Sequence, residues 1–376
     1  MSEVSRPQPV EASPPRYDAI LLAGFGGPEG EDDVVPFLRN VTRGRGIPQE
    51  RLEMVAQHYH AFGGVSPING QNRALKAALE AELASRDIDL PVYWGNRNWE
   101  PYLRDAIVAA ADAGHTRLIA ITTSAYSSYS GCRQYREDLA LALTETGLDK
   151  TVHIDKVRQY FDHPGFVTPF IDGVRQALED VAAQGISAAD THLLFSTHSI
   201  PVEDAARSGP PERDFGSGGA YAAQHRAVAE VIMVRVAPAA PWSLVYQSRS
   251  GPPSTPWLEP DINDTIISLA TNGTKAVVIV PLGFTSDHME VKWDLDTEAM
   301  ATARENGLFA ARVPTPGAHP AFVAGLVDLV LERATGETEG TRPAETSLGP
   351  WYDVCLPGCC ENVRLGFKPA LAGIAP

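Results

Sequence analysis

Sulfur is scarce in this 376-residue chain: it has four cysteines, of which Cys355, Cys359 and Cys360 crowd into six residues near the C-terminal end while Cys132 stands alone in the body. So few thiols in that grouping exclude a disulfide framework and read as a cluster. Long hydrophobic runs are missing too. The longest, at 20–25 and 276–284, fall far short of the roughly 18–20 residues that cross a bilayer, which excludes a transmembrane helix. Positive charge is in deficit, with 31 Lys and Arg against 47 Asp and Glu, a net charge of −16. No basic run offsets it, so nucleic acid is excluded as a partner and anionic membrane surfaces are repelled, with weak attachment to a membrane surface left open. Residues 1–16 have no apolar segment behind a basic one; they read as a disordered arm rather than a signal peptide, and the expected location is the cytoplasm.

What is present is the composition of a soluble globular protein, 44% apolar and 21% charged, with length enough for two domains. Short apolar, β-branched runs alternate with amphipathic stretches of helical period, the pattern of βαβ units. Eight strands are expected, near 17–24, 90–95, 117–123, 151–157, 191–197, 243–247, 275–282 and 308–313. The fold class is therefore α/β, two Rossmann-like domains at 17–165 and 166–333, each a four-stranded parallel sheet flanked by helices. A long helix at 164–183 lies between the halves and is assignable to either. Beyond a last helix at 318–333, residues 334–350 are rich in Gly, Pro, Thr and Glu and read as an extended linker leading to the cysteines, so that 334–376 forms a separate tail.

Open parallel sheets bind ligands beyond the carboxyl ends of their strands. After the first strand comes AGFGGPEG (23–30), but the spacing G-x-G-x-x-G is not met, and some twenty residues on Arg43 and Arg45 stand where a ribose-binding acid belongs. The loop reads instead as one that lets backbone approach a flat ligand. The fifth strand delivers His198 into a turn closed by Pro201; a lone histidine is commonly structural, but at a strand end it can accept a proton from a weakly acidic N–H near neutral pH. The seventh strand opens into FTSDHMEVKWDLDTE (284–298), where Asp287, His288 and Glu290 precede a helix. Glu290, Asp294 and Glu298 recur at i, i+4 and i+8, one face of a helix. Such a face is usually just solvated. Its start at a strand end, beside a histidine, favours instead a ladder of oxygen ligands for a divalent first-row metal that must be released again.

FSTHSIP (195–201), YQSRSGPPSTPWLEPD (246–261) and VPLGFTSDHMEVKWDLDTE (280–298) resemble the signature stretches of ferrochelatases, and LLAGFGGPE and FGGVSPING (62–70) are similar to two more, all in family order. The resemblance covers most of 17–333. It implies a chelatase-like fold and insertion of ferrous iron, as substrate, into a porphyrin during heme synthesis. His198 and Glu290 would both be catalytic and both meet the incoming iron, His198 facing the macrocycle as acceptor of a pyrrole proton and Glu290 opposite or beside it as metal ligand and proton acceptor. His288, Asp294 and Glu298 would line the path of iron entry or proton exit. Ser66, Arg43 and Arg45 would meet propionates. Phe25, Tyr126 and Trp257 are candidates for gripping the ring, with core packing as the alternative for each. Phe25 departs from those family members that place an iron-ligating tyrosine there. Similarity to actinobacterial members favours coproporphyrin III, giving coproheme III, over protoporphyrin IX.

Four thiolates can hold a [2Fe–2S] cluster, and Cys132, Cys355, Cys359 and Cys360 resemble the set that certain ferrochelatases use; a structural zinc site is the competing reading. Two other functions stay open at this level: a non-catalytic porphyrin carrier, for which the acidic ladder has no use, and a cobalt or nickel chelatase. Contact with neighbouring heme-pathway enzymes is left open.

Overall fold

A computed structural model describes residues 17–44, 46–250, 254–336, 341–362 and 366–373; the arm expected at 1–16 and the propionate candidate Arg45 lie outside the described residues. Runs such as Ala19–Gly24 and Ala276–Val280 are apolar and buried at every position. That continuity, in place of alternation, is what a parallel strand covered on both faces requires. In the first half β1 (Ala19–Gly24), β2 (Val92–Asn96), β3 (Arg117–Thr122) and β4 (His153–Lys156) form a parallel sheet in the order β2-β1-β3-β4. The second half repeats it: β5 (Thr191–His198), β6 (Trp242–Gln247), β7 (Ala276–Val280) and β8 (Phe309–Arg312) lie in the order β6-β5-β7-β8. All eight expected strands are present, and no end moves by more than two residues.

The repetition reaches into the sequence. Leu22 pairs with Ile121 and Leu194 with Ile279, in two stretches of like pattern, TRLIAITTSAYSS (116–128) and TKAVVIVPLGFTS (274–286). Both stretches run on into a π-helix, Tyr129–Arg133 in the first half and Val291–Ala299 in the second. The last strand of each sheet is followed by a helix opened by His-Pro, Pro164–Ala183 and Pro320–Thr335. His163 Nδ1 accepts the N–H of Gly165 at 3.1 Å and His319 Nδ1 that of Ala321 at 3.2 Å, each satisfying a donor that a helix start leaves free, while proline at the first position loses nothing.

These two helices pack on each other so closely that a Cβ on Gly165 would lie 2.6 Å from Ala321 O and one on Gly325 2.9 Å from Gly165 Cα. Helix Pro164–Ala183 also runs against Val313, past the end of β8, at Gly173, so it packs with the second sheet. One apolar core extends from Ile20 and Ile121 through Phe161, Phe166 and Phe170 to Leu193, Phe195 and Val278. The halves therefore share an interior.

The expectation of an extended linker after the last helix is corrected for its described part. Arg158, fully buried, donates to Asp162 Oδ1 at 2.6 Å, Glu332 Oε1 at 2.7 Å and Pro343 O at 2.8 Å. Trp351 is 2% exposed against Phe161 and Phe215. Composition reads as a linker because the anchoring partners come from elsewhere in the chain. Among the described residues no helix is long and apolar enough to cross a membrane.

Candidate active site and cysteine site

In each sheet the central strand is flanked by connections of opposite direction, and the crevice at that switch point is where ligands bind. His198 ends β5 at the second sheet's switch point, and the chain leaving β7 crosses over it. Gly283 N donates to Ser196 O at 3.1 Å, and a Cβ on Gly283 would stand 2.1 Å from Thr197 Oγ1. Only glycine lets the two strand ends meet this closely. The crossing carries the next turn to His198, and Glu290 Oε1 arrives 3.5 Å from His198 Nε2, with the side chains 47% and 31% exposed. The two residues, remote in sequence, converge.

His198 Nδ1 is in short hydrogen-bond contact with Ser199 O, so Nδ1 carries the proton and Nε2 faces the carboxylate. Burial acts to lower the imidazole pKa, but the Glu290 charge, its hydrogen bond, Ser199 O and Asp294 outweigh it and raise the value to about 9. Burial acts to raise Glu290; the His198 charge overcomes it and lowers the carboxyl to about 2. In the ligand-free protein the pair is therefore imidazolium and carboxylate. Asp294 is pushed up to about 7 by burial and then by the charges of Glu290 and Glu298, with the Ser248 hydrogen bond opposing. An acid poised near neutrality can both take and give a proton.

The ladder stands on a π-helix, where sequence spacing suggests an α-helix. Val291, Leu295 and Ala299 are buried against the second sheet's core, and Glu290, Asp294 and Glu298 each precede one of them. The wide register also pairs residues five apart: Trp293 Nε1 donates to Glu298 Oε1 at 2.8 Å and Thr297 Oγ1 to Lys292 O at 3.0 Å. π-helical turns are rare and concentrate at functional sites. Arg312 holds the turn from beneath, bonding Asp287 Oδ2 at 3.0 Å and reaching Asp296, so Asp287 is structural. His288 Nδ1 accepts Glu290 N–H at 3.2 Å, orienting the first rung, and burial lowers its pKa.

Other candidates are distributed as follows. Phe25, half-buried at the exit of β1, meets Phe37 edge-on with ring centres 6.4 Å apart. Trp257 is half-buried beside the turn after His198, bridged to Pro201, and its buried Nε1 has no protein partner. Arg43 lies exposed, donating to Asn40 Oδ1 at 2.7 Å. Ser66 is buried beneath Gly27 and donates its N–H to Pro28 O. Tyr126 is buried, stacked on His225 with centres 3.5 Å apart. It occupies the core, the alternative held open for it.

Sequence reading missed several members. Tyr59, from helix Gln49–His60 of the first half, lies near enough to Glu290 and Asp294 that burial and their charges raise its hydroxyl. Beside it His58 stacks on Trp293, centres 4.0 Å apart, joining the halves across the π-helix. Nothing local marks these residues. Ser248 and Gln247 were findable, because they end and follow β6: Ser248 Oγ donates to Asp294 Oδ2, and Gln247 Nε2 to Glu290 O at 3.3 Å.

The cysteines form a second site. Cys132, Cys355, Cys359 and Cys360 make one buried group, with Cys359 and Cys360 sulfurs 3.8 Å apart and no disulfide. As free thiols they do not stand at ligand geometry: among the described residues no group of three or more His, Cys, Asp or Glu is arranged to hold a metal ion. The donor set nevertheless fits an iron–sulfur cluster. It is buried, all-sulfur and fourfold; Gly209 N–H donates to Cys360 Sγ at 3.2 Å and the Tyr352 hydroxyl lies 3.0 Å from Cys359 Sγ. Crowding of the thiols and burial push Cys132, Cys355 and Cys359 up, so they would ionise only on binding a cation.

Residues 17–334 match the protein family described as ferrochelatase. The coproporphyrin III ferrochelatase of Leifsonia xyli is 68% identical, with 96% of each chain covered; that of Tropheryma whipplei is 59% identical over 96% of this chain and 93% of its own. That of Streptomyces coelicolor is 54% identical, with 98% of each covered. Among solved structures, SirB from Bacillus subtilis with Fe3+ superposes with a TM-score of 0.50 at 13% identity, covering 88% of this chain and 100% of that one, a likeness of fold.

Proposed function

The chain belongs to the ferrochelatase family and is a metal-inserting porphyrin enzyme; we propose that His198 and Glu290 are its catalytic pair and that it turns coproporphyrin III into coproheme III. The observation that carries the site is the 3.5 Å approach of His198 Nε2 and Glu290 Oε1 beneath an acidic ladder. High identity to enzymes named for coproporphyrin III supports that substrate over protoporphyrin IX.

This reading implies a sequence of proton movements. In the resting pair the imidazole is protonated and useless as a base. A ferrous ion descending the ladder past Glu298 and Asp294 reaches Glu290 and neutralises its charge. The imidazolium then loses the interaction that held its proton, which passes to Asp294, poised near neutrality, and on to solvent. Neutral His198 accepts a pyrrole proton as iron bonds the ring nitrogens, relays it by the same path, and takes the second. The balance is ferrous ion plus free-base porphyrin to ferrous porphyrin and two protons, with no redox change. His288 fixes Glu290, Phe25 and Trp257 contact the ring, and Arg43, Arg45 and Ser66 take propionates.

Cys132, Cys355, Cys359 and Cys360 hold a [2Fe–2S] cluster in this reading, which when bound cross-links tail to body. Action in the cytoplasm accords with the lack of a membrane-crossing helix among the described residues. An anaerobic assay offering coproporphyrin III and protoporphyrin IX side by side with ferrous iron tests the substrate; preference for protoporphyrin IX, or a fully active His198→Ala protein, would defeat the reading. Visible absorption with stoichiometric iron and sulfide tests the cluster. A colourless protein releasing zinc rejects it.

A further inference from the structure

The cysteine site touches both halves of the molecule. Cys132 lies in the π-turn Tyr129–Arg133, whose Ser130 O accepts from Arg97 at 3.0 Å. The same guanidinium pairs with Asp138 at 2.7 Å and lies 5.8 Å over the Phe25 ring, on the first-half wall of the active site. Cys360 belongs to the tail but is clasped to the second half. Its Sγ accepts from Gly209 N, its N–H donates to Gly209 O at 3.4 Å, and it sits in left-handed backbone at φ 57°. A non-glycine residue in that region is held there by its surroundings. Two bonds and a strained backbone fix the thiol to one peptide.

From that peptide a buried path leads to the catalytic histidine. Ser208, the neighbour of Gly209, accepts through Oγ the N–H of Tyr221 at 2.8 Å and through its carbonyl the N–H of Ala220 at 3.2 Å. The Tyr221 hydroxyl donates to His198 O at 2.9 Å and takes the proton of Thr197 Oγ1 at 2.7 Å. Ser208 and Tyr221 are 4% and 7% exposed, so water does not compete for these bonds. They gain strength accordingly.

We propose that Tyr221 is a positioning residue through which the placement of His198 answers to occupancy of the cysteine site. The inference rests on the reading that the four thiols hold a metal or cluster. On loading, Cys360 becomes a metal-bound thiolate, its bond from Gly209 becomes charge-assisted, and the loop carrying Ser208 is fixed; Tyr221 then holds the end of β5 in one place. On emptying, that anchor loosens and the imidazole with it. Coupling between sites is reciprocal, so porphyrin at His198 tightens metal binding by the same factor.

The test measures coproporphyrin III affinity by fluorescence titration, without added iron, in the full chain with the cysteine site loaded as purified anaerobically, reloaded with zinc, or emptied by chelation. Metal analysis precedes each titration. Emptying is expected to weaken porphyrin binding about fivefold or more in the wild type, the lower end of ordinary coupling. In Tyr221→Phe, and independently in Ser208→Ala, the difference between loaded and empty protein falls below about twofold, while both variants still take up metal. Equal affinity in loaded and empty wild type overturns the coupling, as does a difference that survives both substitutions; should Tyr221→Phe fail to fold, Ser208→Ala decides. A chain that takes up neither iron nor zinc on its cysteines removes the premise, and metal analysis shows this before any porphyrin is added.

Discussion

Replacing Glu290 by glutamine keeps the shape of the side chain and removes its charge. At 3.5 Å a unit charge attracts an imidazolium by about 1 kcal/mol if fully screened and about 5 kcal/mol at an effective dielectric near 20. Exposure of both side chains places the pair nearer the screened limit. At about 1.4 kcal/mol for each tenfold step, the midpoint of His198 should fall from about 9 by one to three pH units, toward its ordinary 6.5. Asp294 should fall as well, below its present value of about 7, because a neighbouring negative charge has gone. The paired signs separate electrostatics from repacking: tighter burial would lower the histidine but raise the acid. The assay is a pH titration of the porphyrin-free protein by NMR, following the His198 imidazole and the Asp294 carboxyl carbon. A His198 midpoint unmoved in Glu290→Gln, or an Asp294 midpoint that rises, refutes the account of the resting ion pair.

The same values define a window of stability. His198, raised to about 9, contributes fully below 6.5 and loses its contribution as pH climbs through 9; Glu290, lowered to about 2, contributes above 4.5 and loses it as pH falls through 2. The melting-point difference between wild type and Glu290→Gln should be largest from about pH 4.5 to 6.5 and shrink on either side. Ser248→Ala removes a donor that favours ionised Asp294, so iron capture should weaken: KM for ferrous ion rises roughly threefold to tenfold, about 1 kcal/mol, with kcat changing less and the acid limb of the rate profile moving to higher pH. Gly165→Ala forces apart the two His-Pro helices and should cost about 1–3 kcal/mol in denaturant unfolding. Arg158→Met leaves Asp162 buried without its cation and Glu332 with Arg342 alone, a loss of about 3–5 kcal/mol, and should expose the segment around Pro343 to protease.

The central strands were legible because they are buried on both faces and so are written as nearly unbroken apolar runs, as in Ala19–Gly24 and Ala276–Val280. That His198, His288 and Glu290 come together was legible because ligand crevices in such sheets lie at strand ends. The π-helix was not: residues four apart share a face in an α-helix and nearly do so in the wider one, so Glu290, Asp294 and Glu298 fit both. Only the five-apart pairs of Trp293 with Glu298 and Lys292 with Thr297 distinguish them. Tyr59 and His58 escaped because their role depends on contact with the opposite half, and the segment before Trp351 escaped because its anchor, Arg158, lies far back in the chain.

Beyond the third strand of each sheet the chain winds into a π-helical turn, Tyr129–Arg133 in one half and Val291–Ala299 in the other. The doubled unit thus presents unlike donors in comparable places, sulfur around Cys132 and oxygen at Glu290, Asp294 and Glu298, and that difference in hardness would let the two places discriminate between ions.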